Sequence, residues 1–153
     1  MSNKLNILFL CTGNSCRSQM AEGWARHLKN DHIDVRSAGI ETHGVNPYAV
    51  FVMAEAGVDI SHHKSRHVDK FKNKKFDYVI TVCGHAHETC PRFPKKAKII
   101  HIPFDDPPML AAKFNNKEDK LDCYRQVRDE IRVFVRTLPE SLFKFDLFVK
   151  CFL

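Results

Sequence analysis

No stretch of this 153-residue chain approaches the ~20 consecutive apolar residues that a membrane-spanning helix needs. The first apolar run, Leu5 to Leu10, is short and has no small-residue cleavage site behind it, so it does not read as a secretory leader. Cysteine is too sparse for a disulfide scaffold: six in this length fall short of the density seen in small secreted domains. Their chemistry is expected to be nucleophilic or redox, in a reducing cytoplasm. Internal repeats and low-complexity segments are missing. One domain with a proper core fits the length, and two ordinary ones do not.

Charge is the first positive feature. The formal net charge of +6 suits an anionic substrate. Lys70, Lys72, Lys74, Lys75, Lys95, Lys96 and Lys98 make a basic surface. No aromatic platform or reading-helix pattern accompanies them, so a solvated face is expected and no nucleic-acid partner.

The most informative stretch follows the first apolar run: Cys11-Thr12-Gly13-Asn14-Ser15-Cys16-Arg17-Ser18. A cysteine and an arginine six positions apart bracket a short loop between a strand and a helix. A free thiol, with a pKa near ~8.5, is mostly protonated at neutral pH, and nearby positive potential is needed to ionise it. Residues 12–16 are small or polar, so their amides can converge into an anion-binding nest. Arg17 offers a planar fork that grips two oxygens at once, which lysine does not. Ser18 is expected to cap the following helix, whose positive dipole end would point into the loop. Whatever binds the anion also stabilises a thiolate at Cys11. The alternative is that Cys11 is a small hydrophobe ending a buried strand, and the glycine, asparagine, serine and arginine that follow weigh against it.

Four apolar runs read as strands: Leu5 to Leu10, Ile33 to Ser37, Tyr78 to Val82 and Lys98 to Ile102. Helical patterns lie between and after them, over residues 18–30, from Asn46-Pro47 to Gly57, and from about Lys117 to Thr137. In the first, Met20, Ala21, Trp24, Ala25 and Leu28 form one apolar stripe; in the last, Tyr124, Val127, Ile131, Phe134 and Leu138 do. The alternation predicts an α/β fold, a parallel sheet covered on both sides. Active sites in such sheets lie at the carboxyl ends of the strands, where Cys11, Cys83 and the loop Phe104-Asp105-Asp106-Pro107 all fall. After Pro139 the chain turns strongly apolar, either a short added helix packed on the domain or an exposed patch. Packing is the expectation.

Cys83 and Cys90 lie seven residues apart in Thr81-Val82-Cys83-Gly84-His85-Ala86-His87-Glu88-Thr89-Cys90-Pro91. A disulfide needs Cα atoms about 4.4–6.8 Å apart, so a reversible bridge here implies a segment that changes conformation. A zinc site built from Cys83, His85, His87 and Cys90 is a rival reading, although structural zinc sites usually come as two close pairs. Two inert cysteines are another. A cysteine that displaces an oxygen leaving group also needs a proton donor. Asp105 and Asp106 are candidates, and Asp106 is favoured because Pro107 fixes its backbone. The competing reading is a simple Asp-Asp-Pro turn.

Taken together, CTGNSCRSQMAEGWA from Cys11, SAGIETHGVNP from Ser37, TVCGHAHETCP from Thr81, FDDPP from Phe104 and QVRDEI from Gln126 resemble the thioredoxin-coupled arsenate reductases, which share the low-molecular-weight protein tyrosine phosphatase fold. The resemblance implies a three-layer sandwich, a four-stranded parallel sheet flanked by helices on both faces, assigned here to residues 1–138; residues 139–153 are an apolar C-terminal extension that the family pattern does not include. It implies Cys11, Cys83, Cys90, Arg17 and Asp106 as the catalytic set. Thr12, Gly13, Asn14, Ser15, Cys16, Arg17 and Ser18 would form the oxyanion loop. In that mechanism Cys11 attacks arsenate, Cys83 attacks Cys11 to release arsenite, and Cys90 carries the disulfide outward to thioredoxin. No bound cofactor or metal at the reacting centre is implied, and the protein is expected to be a cytoplasmic monomer with no membrane association. One subgroup binds potassium through groups matching Asn14, Glu22, Ser37 and an aspartate. Arg66 stands at the aspartate's place, so its charge is expected to replace the cation. His85 and His87 stand where acidic residues are more usual. Two other functions compete: a tyrosine phosphatase working through a cysteinyl-phosphate, which needs neither Cys83 nor Cys90, and a non-enzymatic redox or oxyanion sensor.

Overall fold

Strand β1 (Leu5–Cys11) is buried at five successive residues, Ile7 to Cys11. Consecutive side chains of a strand point to opposite faces, so both faces of the sheet are covered here. The structure, a computed structural model, describes residues 3–88, 90, 93 and 97–151, and of residues 85, 87 and 147–151 the backbone alone. Strands β2 (Ile33–Gly39), β3 (Tyr78–Thr81) and β4 (Lys98–His101) complete one parallel sheet in the order β2-β1-β3-β4. Every residue of β3 is buried too. The expected three-layer α/β arrangement is present.

Helix α1 (Arg17–Lys29) packs on β1 and β2 and against α5 (Lys117–Arg136). The apolar stripes behave as their spacing demands. Met20, Ala21, Trp24 and Ala25 are buried on α1; Leu121, Tyr124, Val127, Ile131 and Val135 are buried on α5. Helix α2 (Pro47–Glu55) is capped by Asn46, whose Oδ1 accepts from the amides of Tyr48 at 2.8 Å and Ala49 at 3.4 Å. It stops just before Gly57, which adopts φ +84°, a conformation favourable to glycine. Two short helices that periodicity does not reveal follow β3 and β4: α3 (Gly84–Glu88) and α4 (Pro107–Ala111).

The apolar segment after Pro139 forms helix α6 (Glu140–Cys151). It docks through buried Leu142, while Phe143 and Phe145 stay exposed, so both sequence readings of this segment hold in part. Asp146 accepts from the Tyr78 hydroxyl at 2.8 Å and pairs with Lys98 Nζ at 2.7 Å. Among the described residues no helix is long and apolar enough to cross a membrane.

Candidate active site

Cys11 closes β1 and Arg17 opens α1, and the chain between them turns through Asn14 at φ 48°, a left-handed conformation that asparagine tolerates. Every carbonyl of this loop is engaged away from the cradle. The segment after β2 runs alongside as a strap. Its amides of Ile40, Glu41, His43 and Asn46 donate to the carbonyls of Cys11, Thr12, Gly13 and Ser15 at 3.1, 2.8, 3.0 and 2.9 Å. The Asn14 carbonyl accepts from Ser65 Oγ at 2.7 Å and Gln19 Nε2 at 3.1 Å, and that of Cys16 from the Met20 amide at 2.9 Å. Among the described residues nothing accepts a backbone hydrogen bond from the amides of Thr12 to Cys16. Peptide units whose oxygens are held outside turn their N–H groups inward, and the result is a nest for a tetrahedral anion. Gly39 permits the strap's approach, because a Cβ there would meet Asn14 N at 2.7 Å and Thr12 O at 2.8 Å.

Asn14 and Ser18 play parts that differ from the sequence reading. The Asn14 side chain is fully buried and faces away from an anion. Its Nδ2 donates to Ser18 Oγ and Ser37 Oγ, both at 2.9 Å, and its Oδ1 accepts from Gln19 Nε2 at 2.9 Å and the Arg66 amide at 2.8 Å. Ser18 is not the helix cap. The helix already begins at Arg17, the flanking Cys16 makes no side-chain cap bond, and the Ser18 hydroxyl lies 2.8 Å from Cys11 Sγ. Held by Asn14, that hydroxyl is committed to the sulfur.

Arg17 is anchored by donating from Nη1 to the Phe104 carbonyl at 3.0 Å, while Nη2 lies 3.4 Å from Asp106 Oδ1. Asp106 precedes α4 but makes no cap bond, so its carboxyl is spared for the cavity. That cavity is lined by Cys11, Thr12, Gly13, Ser15, Cys16, Arg17, His43, Asp106 and Pro108. Asp105 is exposed. Burial drives the Cys16 thiol well above its ordinary range, with the charges of Asp106 and Cys11 adding to the effect. Cys16 therefore stays protonated and is no rival nucleophile. Burial likewise pushes the Tyr124 hydroxyl up to about 12, and it accepts a hydrogen bond from Asn46 Nδ2 at 3.1 Å. Cys83 is buried beside the loop, with Sγ 3.2 Å from the Thr12 hydroxyl and accepting from the Ala86 amide at 3.4 Å. Cys90 is half-buried against the core, and burial raises its thiol. The zinc reading depends on the side chains of His85 and His87, which lie outside the described residues.

Residues 6–145 match the family described as low molecular weight phosphotyrosine protein phosphatase. The chain belongs to this family. Among curated relatives, an arsenate reductase of Halalkalibacterium halodurans is 50% identical over 139 residues, 91% of this chain and 98% of its own. Two solved structures show the family's two faces. An arsenate reductase in its oxidised state is 32% identical, with a TM-score of 0.72 over 87% of this chain and 95% of its own. A low molecular weight protein tyrosine phosphatase from T. tengcongensis is 26% identical, with a TM-score of 0.72 over 90% of this chain and 99% of its own.

In this family member the ground beneath the loop does not fit a potassium ion. Asn14 Oδ1 is taken by Gln19 and Arg66, and Ser37 Oγ accepts from Asn14. Glu22 is 2% exposed, and its Oε1 has no hydrogen-bond partner among the described residues. Its counter-charges are Arg26 Nε at 3.7 Å and Arg66 Nη1 at 3.9 Å, with His63 Nδ1 at 3.3 Å. A guanidinium already faces the carboxylate that a cation would need.

Sequence reasoning overlooked two neighbours of the family loop. Gln19 links Asn14 to the Lys64 carbonyl at 3.1 Å. His43 overhangs Gly13 at the mouth of the cavity. The only signal for His43 is its place six residues after Ser37, in the segment that returns past the loop.

Proposed function

We propose that this protein reduces arsenate to arsenite through Cys11, Cys83 and Cys90, with thioredoxin regenerating the thiols. One observation carries the reading beyond the family. The Cys83 sulfur rests on the Thr12 hydroxyl, 3.2 Å away, and Thr12 directly follows the nucleophile. A phosphatase needs one thiol at its cradle, whereas two-electron reduction needs two. The high identity to arsenate reductases over nearly the whole chain adds support.

Arsenate seats on the loop amides and the Arg17 fork. The Cys11 thiolate attacks arsenic, an As–S bond forms, and one oxygen departs as water after receiving a proton from Asp106. The Cys83 thiolate then attacks Cys11 Sγ. A disulfide forms, the As–S electron pair stays with arsenic, and arsenite leaves as As(III). The Cys90 thiolate next attacks Cys83 Sγ and expels Cys11 as thiolate, leaving a Cys83–Cys90 disulfide. The dithiol of thioredoxin supplies the two electrons that reopen it. Helix α3 lies between Cys83 and Cys90 in the chain, and a disulfide needs Cα atoms about 4.4–6.8 Å apart. We infer that the last exchange reshapes the segment carrying α3 and draws Cys90 out of the burial that raises its thiol. The scheme calls for no bound cofactor, and we place the enzyme in the cytoplasm as a monomer.

The second reading, aryl-phosphate hydrolysis, is favoured by the Cys11, Arg17 and Asp106 arrangement alone. One experiment separates the two. Arsenite production is followed with thioredoxin, its reductase and NADPH, for the wild type, Cys83→Ser and Cys90→Ser. Reduction predicts loss of arsenite turnover in both variants, with aryl-phosphate hydrolysis largely kept. Indifference of arsenite production to both changes sinks the relay.

A further inference from the structure

The mouth of the cradle carries a group that the reaction above does not use. His43 lies on the strap, and its backbone amide ties it to the Gly13 carbonyl at 3.0 Å. Its ring sits over Gly13 so closely that a Cβ on that residue would collide with Nδ1 and stand 2.8 Å from Cγ. Glycine at position 13 is thus what admits the ring. On its far side, Nε2 is 2.7 Å from Glu41 Oε2. A carboxylate accepts only, so Nε2 carries a proton, and the pair sets the ring's orientation. Nδ1 is left on the Gly13 side, within the cavity that Cys11, Arg17 and Asp106 also line.

We propose that His43, oriented by Glu41, is a specificity-determining residue that selects small inorganic tetrahedral anions over aryl esters at this cradle. When the ring is an imidazolium, its Nδ1–H reaches an outer oxygen of the anion, adding a charge-assisted hydrogen bond to those of the loop. An inorganic anion presents an oxygen in every direction and always meets that donor. An aryl phosphoester or phosphonate replaces one oxygen with a bulky apolar group, which must leave through the mouth between His43, Asp106 and Pro108. There it meets the ring edge and strands the donor, which costs affinity. Glu41 balances the charge when the cradle is empty and keeps the ring from swinging into solvent.

This deepens the reading of the loop as an oxyanion site but requires neither Cys83, Cys90 nor thioredoxin, so its test is independent of the relay. Isothermal titration calorimetry would measure inorganic phosphate and phenylphosphonate on wild type, His43→Ala and His43→Asn. The wild type is expected to prefer phosphate. Removing one charge-assisted donor in His43→Ala should weaken phosphate about tenfold, while phenylphosphonate holds or improves. His43→Asn puts an amide donor near the place of Nδ1 and should recover most of the preference. A preference unchanged in His43→Ala, both ligands weakened alike, or His43→Asn indistinguishable from His43→Ala each overturns the proposal. Absence of phosphate binding by the wild type overturns it together with the cradle, whereas failure of arsenite production with phosphate binding kept overturns only the relay.

Discussion

Replacing Asn14 by alanine should cost about 3–5 kcal/mol, more than a typical polar-to-alanine change. The side chain makes four hydrogen bonds at 2.8–2.9 Å, three of them buried, to Ser18, Ser37 and Gln19, and a part-buried one from the Arg66 amide. A net bond contributes about 1 kcal/mol, and a buried donor left without an acceptor costs about 1–3 kcal/mol. The two serine hydroxyls can rotate towards other partners. Gln19 keeps the carbonyls of Asn14 and Lys64. The Arg66 amide, fixed in the backbone and part-buried, loses its acceptor. Alanine in the left-handed conformation of position 14 (φ 48°) adds about 1–2 kcal/mol. For a chain of this size the sum lowers Tm by roughly 6–20 °C. Urea unfolding followed by Trp24 fluorescence measures it, since this is the chain's single tryptophan and is 2% exposed. Asn14→Gly relieves the backbone alone and should recover about 1 kcal/mol of the loss. A loss below about 1 kcal/mol in both variants would refute the idea that this side chain holds the loop together.

Arg17→Lys keeps the charge but gives up both the Phe104 anchor and the fork facing Asp106. The kcat/KM for any tetrahedral substrate should fall about 100-fold, close to 2.7 kcal/mol, with folding unchanged; equal activity refutes the fork. The His63 side chain is largely shielded, and desolvation lowers its pKa against the opposing pull of Glu22, with His62, Arg26 and Arg66 adding to the lowering. The unfolded chain then takes up a proton at a higher pH than the folded one. Stability is full above the ordinary histidine value of about 6.5 and is lost as pH falls through that value towards the lowered one. Tm measured down to about pH 5 should decline in this window for the wild type and flatten in His63→Gln; identical slopes sink the argument.

The strand–helix alternation is legible because the buried strands are short unbroken apolar runs and the long helices carry stripes of matching period. Cys11 and Arg17 are legible because their spacing has a direct physical meaning for a loop between β1 and α1. Asp106 is marked by its proline. Asn14 shows where this kind of reading stops. Its partners Ser37 and Arg66 come from distant parts of the chain, so it looks like one more small loop residue. Ser18 has the chemistry of a cap, but a tertiary contact with Cys11 outweighs that local preference. Helices α3 and α4, at five residues each, are shorter than any helical period can reveal. His43 becomes visible only when the strap is laid beside the loop.

Helix α6 meets the sheet at the amino ends of β3 and β4, where Asp146 holds Tyr78 and Lys98, whereas Cys11 and Cys83 stand at the opposite ends of their strands. The molecule thus has a chemical pole and a handling pole, separated by the full length of the sheet. A dye, a surface linker or an electrode tether attached at exposed Lys144 would leave the mouth of the cradle clear. Immobilised in that orientation, every copy would offer its thiols to the solution.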